Sequence, residues 1–437
     1  MPFDPAAHPQ GTGPRNRSRF SEAARSEPGQ LSLGSNADGI DWPAHQKQTV
    51  EWVSRNRNAS RADRELGEIE VSLPPYIEHL DHIADPRLAA EMESALAEIG
   101  TLDKVHGTNL GSLDSLLIRT ESVASSKIEE IEADVDDYAR ALHGVKSNPS
   151  ATSMAHATIA LTSMVNAAGR DNAIRLDTIL TAHRALLDSD PEEQAYAGKL
   201  RDVQNWIGGT SVYSPIAADY IPPPPETVES YMTDLVAYSN RDDVPVLTQL
   251  AIAHAQFESI HPFTDGNGRT GRALVNAILR RRGTTSHSVV PLASAIVAER
   301  DRYFADLAAY RDGHVEPLLT TFTIGSRIAA EEASVTAVRL AEIPKQWRDT
   351  LGRVRTGSAT HRLLQLVHTS PVVSADDVER QLMDVPESSV YRSIARLEDH
   401  GILAPLTKRK RNQVWGARAV LDEVEDLSNR IAHRAGQ

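Results

Sequence analysis

The sequence predicts a mainly α protein, and three observations carry that expectation. Apolar residues recur at helical spacing along most of the chain, as in Leu247, Leu250, Ala251 and Phe257. Aromatic residues make up only 5% of the total, while Ala, Leu, Arg and Glu are abundant. β-capable pieces are short and fall in two places, beside a Gly/Ser/Pro loop near residues 198–222 and around the basic run 407–412. Each therefore predicts a small hairpin attached to helices.

At 437 residues the chain is long enough for about two or three domains. A formal net charge of −14 argues against general affinity of the whole protein for nucleic acid or an anionic membrane. The absence of cysteine removes disulfides, thiolate metal sites and a cysteine nucleophile. The N-terminus has no apolar signal core and no run approaches a membrane span, so a cytoplasmic protein without a membrane partner is expected.

Taken in order, residues 1–44 are rich in Pro, Gly, Ser, Asn and Arg and read as a loosely ordered tail. A helical region follows over 45–145. Its expected elements are a short helix within His45–Asn58 carrying Trp52, then Arg87–Leu102 and Leu113–Ile131, after a breaker at Ser72–Pro75. A core over 146–340 begins with helices at Ser150–Gly169 and Asp177–Asp188, where His183 reads as a packed or surface residue. The hairpin comes next, and Pro222–Pro225 stiffens the way into Thr227–Asn240. Val246–Ile260 and a helix from near Gly268 to Arg282 enclose a tight loop, and Leu292–Arg311 and Glu316–Leu340 complete the core. The pattern relaxes over Pro344–Gly357.

A last module, 350–437, is expected to hold helices Thr360–His368, Ala375–Leu382 and Pro386–His400. Strands at Ile402–Leu406 and Gln413–Gly416 and a helix Val420–His433 follow. Short helices ahead of a basic hairpin resemble a winged helix-turn-helix. Its third helix offers Ser388, Ser389, Tyr391, Arg392 and Arg396 towards a groove. From Leu351 onward there are 13 Lys and Arg against 11 Asp and Glu, and four adjacent cations, Lys408–Arg411, could contact several phosphates. DNA is thus one partner class, and a protein or a second copy of the chain is the other.

The chemistry concentrates in His261–Arg272, which holds an imidazole, a carboxylate, an amide, three glycines and two guanidinium groups. A glycine-rich loop leading into a helix N-terminus makes an anion site, because unpaired N–H groups and the positive end of the helix converge there. Arg269 and Arg272, three apart, can both reach a polyphosphate. Asp265 can hold a divalent cation, and His261 is placed to take a proton from an attacking hydroxyl. The bland reading is a polar loop that caps a helix and carries surface arginines.

The stretch matches, position for position, the His-x-Phe-x-Asp-Gly-Asn-Gly-Arg-x-x-Arg signature, and the chain resembles the Fic family. The resemblance implies a Fic-type helical core with a hairpin flap, and transfer of AMP from ATP to a hydroxyl side chain of a target protein. It implies His261 as general base and Asp265 as the Mg²⁺ ligand. Gly266, Asn267 and Gly268 would line the anion hole, and Thr270 and Gly271 complete the nucleotide-binding stretch. Arg269 and Arg272 would sit on the β- and γ-phosphates, and Tyr303 near the adenine, where the alternative is an ordinary core aromatic. Arg201, Trp206, Ile207, Gly208 and Gly209 match the family's flap, which would hold a target peptide or simply cover the core.

Ser125 and Glu129 resemble the family's inhibitory helix, whose glutamate pairs with the second arginine, here Arg272. The other reading of Glu129 is a solvated helix-face carboxylate. Glu130 departs from the Gly or Asn expected after it. The resemblance leaves three further readings: removal of AMP, phosphate transfer with the nucleotide reversed, and a DNA-binding regulator that uses the core as a nucleotide sensor.

Overall fold

Capping side chains and left-handed turns fix where the helices of this chain begin and end. The computed structural model describes residues 42–437 except 55–59, 107–110, 146–147, 189–192, 210–213 and 408–412. Residues 1–41 of the expected tail and the Lys408–Arg411 run lie outside the described residues.

The described chain opens with strand β1 (Gln46–Glu51), the short helix α1 (Arg61–Glu65) and strand β2 (Glu68–Leu73). The two strands pair antiparallel, from Gln46 opposite Leu73 to Glu51 opposite Glu68. This corrects the helix expected over His45–Asn58. The segment Gln46–Glu51 has no apolar face of its own, and its state is set by β2, whose Ile69 and Val71 are buried. Ser60 starts α1 through a capping box with Asp63.

Helices α2 (Pro86–His106), α3 (Gly111–Ile128), α4 (Val135–Leu142), α5 (Pro149–Asp171) and α6 (Leu176–Leu187) follow. Asp134 caps α4, an element absent from the expected set, and Asn148 caps α5 ahead of Pro149 at its first turn. After α6, the described residues of the expected hairpin show one antiparallel bridge, Ile207 with Tyr220; residues 210–213 of its loop lie outside the described residues. Trp206 meets Trp52 edge-on at 5.9 Å, and the Ser72 N–H donates to the Ile221 carbonyl, so β2 lies against this segment.

The core continues with α7 (Val228–Ser239), α8 (Val246–Ile260), α9 (Asn267–Arg281), α10 (Leu292–Ala298), α11 (Arg300–Arg311) and α12 (Glu316–Leu351). The single helix expected over Leu292–Arg311 is broken at Glu299, where φ is −117° and ψ 41°. Helix α12 runs on to Leu351 with Pro344 inside it, beyond the expected end at Leu340. Burial of Ile343, Trp347 and Leu351 supports the extra turns against the loss of one backbone hydrogen bond.

The last elements are α13 (Ala359–Thr369), β3 (Val372–Ser374), α14 (Ala375–Gln381), α15 (Glu387–Asp399), β4 (Leu403–Pro405), β5 (Val414–Ala417) and α16 (Arg418–Ala435). The strands form one sheet in the order β3-β5-β4, with β3 an addition to the two strands expected. Helix α16 returns onto α12, α10 and α3. On the other side Ala139 of α4 shares an apolar cluster with Val372, Leu406, Val414 and Leu421. The terminal module is therefore packed against both helices that flank Glu129.

Candidate active site

Helix α8 is buried along nearly its whole length and ends where the sequence forces it to. Pro262 cannot continue the helix, and His261 adopts a left-handed conformation at φ 48°, its N–H donating to the Phe257 carbonyl. Helix α9 then starts from Gly266, at φ 72°. A Cβ at Gly266 would lie 2.8 Å from Leu186 Cδ2, so glycine is required there both by conformation and by space. No side chain caps α9, and its first amide groups have no acceptor within the helix. These N–H groups lie where the sequence predicts an anion site.

The Asn267 side chain has a further task in the loop. Its Oδ1 accepts from the Phe263 N–H at 2.8 Å and its Nδ2 donates to the Phe263 carbonyl at 2.8 Å. With both ends of the side-chain amide used, Asn267 holds the loop shut upon itself.

Arg269 and Arg272 leave the first turns of α9 side by side and are 5% and 3% exposed. One carboxylate satisfies both. Glu129 Oε1 accepts from Arg272 Nη2 at 2.7 Å, and its Oε2 accepts from Arg269 Nε at 2.8 Å. Arg272 is held further by Ser125, donating through Nε to the hydroxyl at 2.7 Å and through Nη2 to the carbonyl at 2.9 Å. Arg269 also donates to Ser153 Oγ of α5 at 2.9 Å and to Asp265 at 3.4 Å. A Cβ at Gly268 would sit 2.3 Å from Glu129 Oε1, so the bare backbone there is what lets the carboxylate in. The expected Glu129–Arg272 contact is present, and Arg269 and Ser153 join it.

The departure at Glu130 acquires a physical meaning. Its φ is 61°, in the left-handed region that glycine and asparagine tolerate best. The residue ends the turn after α3 and sends its carboxylate away from the arginine pair, to Arg300 Nη1 at 3.0 Å. A glycine or asparagine would adopt this backbone conformation with less strain.

Around His261 the electrostatics favour a neutral imidazole. Burial, followed by the charges of Arg201 and Arg311, pulls its pKa down to about 3. Burial also raises the Asp265 carboxyl, against the opposing pull of Arg269. The Asp265 backbone is anchored by His183, whose Nδ1 accepts from the Gly198 N–H at 2.9 Å, leaving Nε2 to donate to the Asp265 carbonyl at 2.9 Å. His183 stacks on Phe263 at 3.7 Å between ring centres. Of the packed and surface readings the sequence allows for His183, it is the packed one, and it also fixes the loop. Tyr303, expected near an adenine, is 1% exposed, and its hydroxyl meets His254 Nε2 at 2.7 Å. It is a buried polar core residue, the alternative the sequence left open for it.

Residues 173–279 match the model of the Fic/DOC family, and the chain carries a Fic domain. It is 35% identical over 150 residues to the protein adenylyltransferase fic-1 of Caenorhabditis briggsae, covering 33% of this chain and 26% of that one. It is 31% identical over 154 residues to the protein adenylyltransferase Fic of Nematostella vectensis, covering 34% and 32%. The chain thus spans about a quarter to a third of the length of these curated relatives. Among solved structures, a Fic family protein from Desulfovibrio desulfuricans G20 superposes with a TM-score of 0.49 at 20% identity, over 77% of this chain and 97% of that one.

Proposed function

We propose that this chain moves AMP from ATP to a hydroxyl side chain of a target protein, with Glu129 as a built-in block. One observation carries the reading: two buried arginines at the start of α9 converge on a single point, now held by a carboxylate whose oxygens can stand in for those of a phosphate. The names of the relatives, protein adenylyltransferases, agree with it.

The donor set suits a triphosphate. Arg269, Arg272, the backbone of Gly266 and Gly268 and the first amides of α9 supply cations and N–H groups without a competing side chain at either glycine. Asp265 is the residue that would hold Mg²⁺, which supplies charge neutralisation at the phosphates when bound. His261, neutral near pH 7, accepts the proton of the target hydroxyl as its oxygen attacks the α-phosphorus. The bond to the bridging oxygen breaks and pyrophosphate leaves. Glu129 obstructs this by occupying both guanidinium groups.

The test is incubation with α-labelled ATP and Mg²⁺, comparing wild type, Glu129→Gly and His261→Ala in the Glu129→Gly background. Label on protein, including self-label, should rise in the first variant and vanish in the second. An unlabelled Glu129→Gly protein would sink the reading.

A DNA-binding role has narrower support. The exposed face of α15 carries Ser388, Tyr391 and Arg392, whereas Arg396 is committed to the Leu351 carbonyl at 2.8 Å. Duplex binding that weakens steeply with salt and is lost in Arg392→Ala would support it.

A further inference from the structure

The last carbonyls of a helix have no partner within it, and in α8 these are the groups that decide where His261 points. Three of them are capped from one distant segment. The Tyr220 hydroxyl donates to the Ser259 carbonyl at 2.8 Å. Arg201 donates through Nη2 to the Ile260 carbonyl at 3.3 Å and through Nε to the His261 carbonyl at 2.9 Å. Asn205 Nδ2 reaches the Phe263 carbonyl at 3.0 Å and the His261 carbonyl at 3.4 Å.

Arg201 is the centre of this arrangement. It is 4% exposed, and its remaining side-chain bonds run to the Val203 carbonyl at 3.1 Å and the Pro223 carbonyl at 2.6 Å. Its own N–H donates to the Pro262 carbonyl at 2.9 Å. A buried cation bonded to carbonyl oxygens is costly unless those dipoles are oriented towards it. Here they are, since two belong to the negative end of α8. The guanidinium spans the end of α8, the loop after it and the proline run at 223, which no lysine or glutamine could bridge at once.

We propose that Arg201 is a positioning residue for His261: by capping the C-terminus of α8 and pinning the left-handed turn there, it sets the direction of the imidazole. This goes beyond the flap match that first singled out Arg201, and its kinetic part rests on the AMP-transfer reading above. The lowered pKa of His261 fits the arrangement, because the same guanidinium disfavours a second positive charge.

The experiment compares Arg201→Met, Arg201→Lys and Asn205→Ala in the Glu129→Gly background. ATP affinity by calorimetry should stay within about twofold of the parent, because the cradle on α9 is untouched. The maximal rate of label transfer should fall about 30-fold or more in Arg201→Met and by less in the other two, the scale expected when a reacting group is misplaced by roughly an ångström. Amide exchange at His261 and Phe263 should quicken about tenfold in Arg201→Met while the middle of α9 keeps its protection. Should Arg201→Met fail to fold, Arg201→Lys and Asn205→Ala still decide the matter by the split between affinity and rate. Unchanged rates together with unchanged exchange would overturn the proposal. A parent that transfers no label would remove the AMP-transfer reading alone, leaving the exchange comparison to judge Arg201.

Discussion

Glu129 and Arg272 are joined at 2.7 Å, across 143 positions of sequence, and this contact ties the end of α3 to the first turns of α9. Arg269 shares the same carboxylate, so under the proposed function a ligand phosphate and Glu129 would compete for two guanidinium groups at once. Competition of this kind would make the proposed block and the proposed binding site one object.

Glu129→Gly should raise label transfer and ATP affinity by at least about tenfold, equivalent to roughly 1.4 kcal/mol of competition removed. The same substitution should lower thermal stability without nucleotide, since buried Arg272 loses its paired carboxylate and Arg269 is left with Asp265 at 3.4 Å. Added ATP should then restore stability more in the variant than in wild type, measured as the shift in melting temperature. Equal shifts in both proteins would count against the shared site.

Glu130→Gly should leave the block in place. It relieves a left-handed residue, worth about 1 kcal/mol, and loses a partly exposed ion pair to Arg300, worth about 0–1 kcal/mol. Stability is therefore expected within about 1 kcal/mol of wild type, or slightly above it. Labelling should stay at the wild-type level; a rise as large as that of Glu129→Gly would reassign the block.

Helix α4 follows Glu129 closely in the chain and leans on the terminal module through several contacts. Arg140 Nη1 donates to the Leu406 carbonyl at 2.6 Å, and His143 Nδ1 faces Asp377 at 3.1 Å. Arg140→Ala should loosen this support and raise label transfer about threefold by weakening the seat of Glu129. In a Glu129→Gly background it should change nothing. An equal rise in both backgrounds would mean that the module does not act through Glu129.

The imidazole of His261 is held neutral down to about pH 3, and the neutral form is the one able to accept a proton. Label transfer by Glu129→Gly should therefore remain within about twofold between pH 7.5 and pH 5.5, where an ordinary histidine would already be mostly protonated. The rate measured across that window checks the sign. A loss centred on about pH 6.5 would place His261 in a wetter setting than the structure gives it.

Much of the site was legible because it is local. His261, Asp265, Gly266, Arg269 and Arg272 lie within one turn-and-helix, so spacing alone places both arginines on one face and the glycines at the helix start. Helix α8 was read to its exact ends, since Pro262 and the apolar spacing leave little choice. The resemblance added Glu129, which no local rule separates from a solvated carboxylate.

What the sequence by itself determined is the helical periodicity, the breakers and the chemical content of the loop. The tertiary structure decided everything that depends on a partner far along the chain. It turned Gln46–Glu51 into a strand, because β2 offered that polar segment a ladder of hydrogen bonds. It committed the Asn267 side-chain amide to Phe263, joined Tyr303 to His254, and brought Arg201 to the end of α8. Sequence patterns report which groups can bury a surface or carry a charge. Which carbonyl or guanidinium each group meets depends on how the helices close around one another.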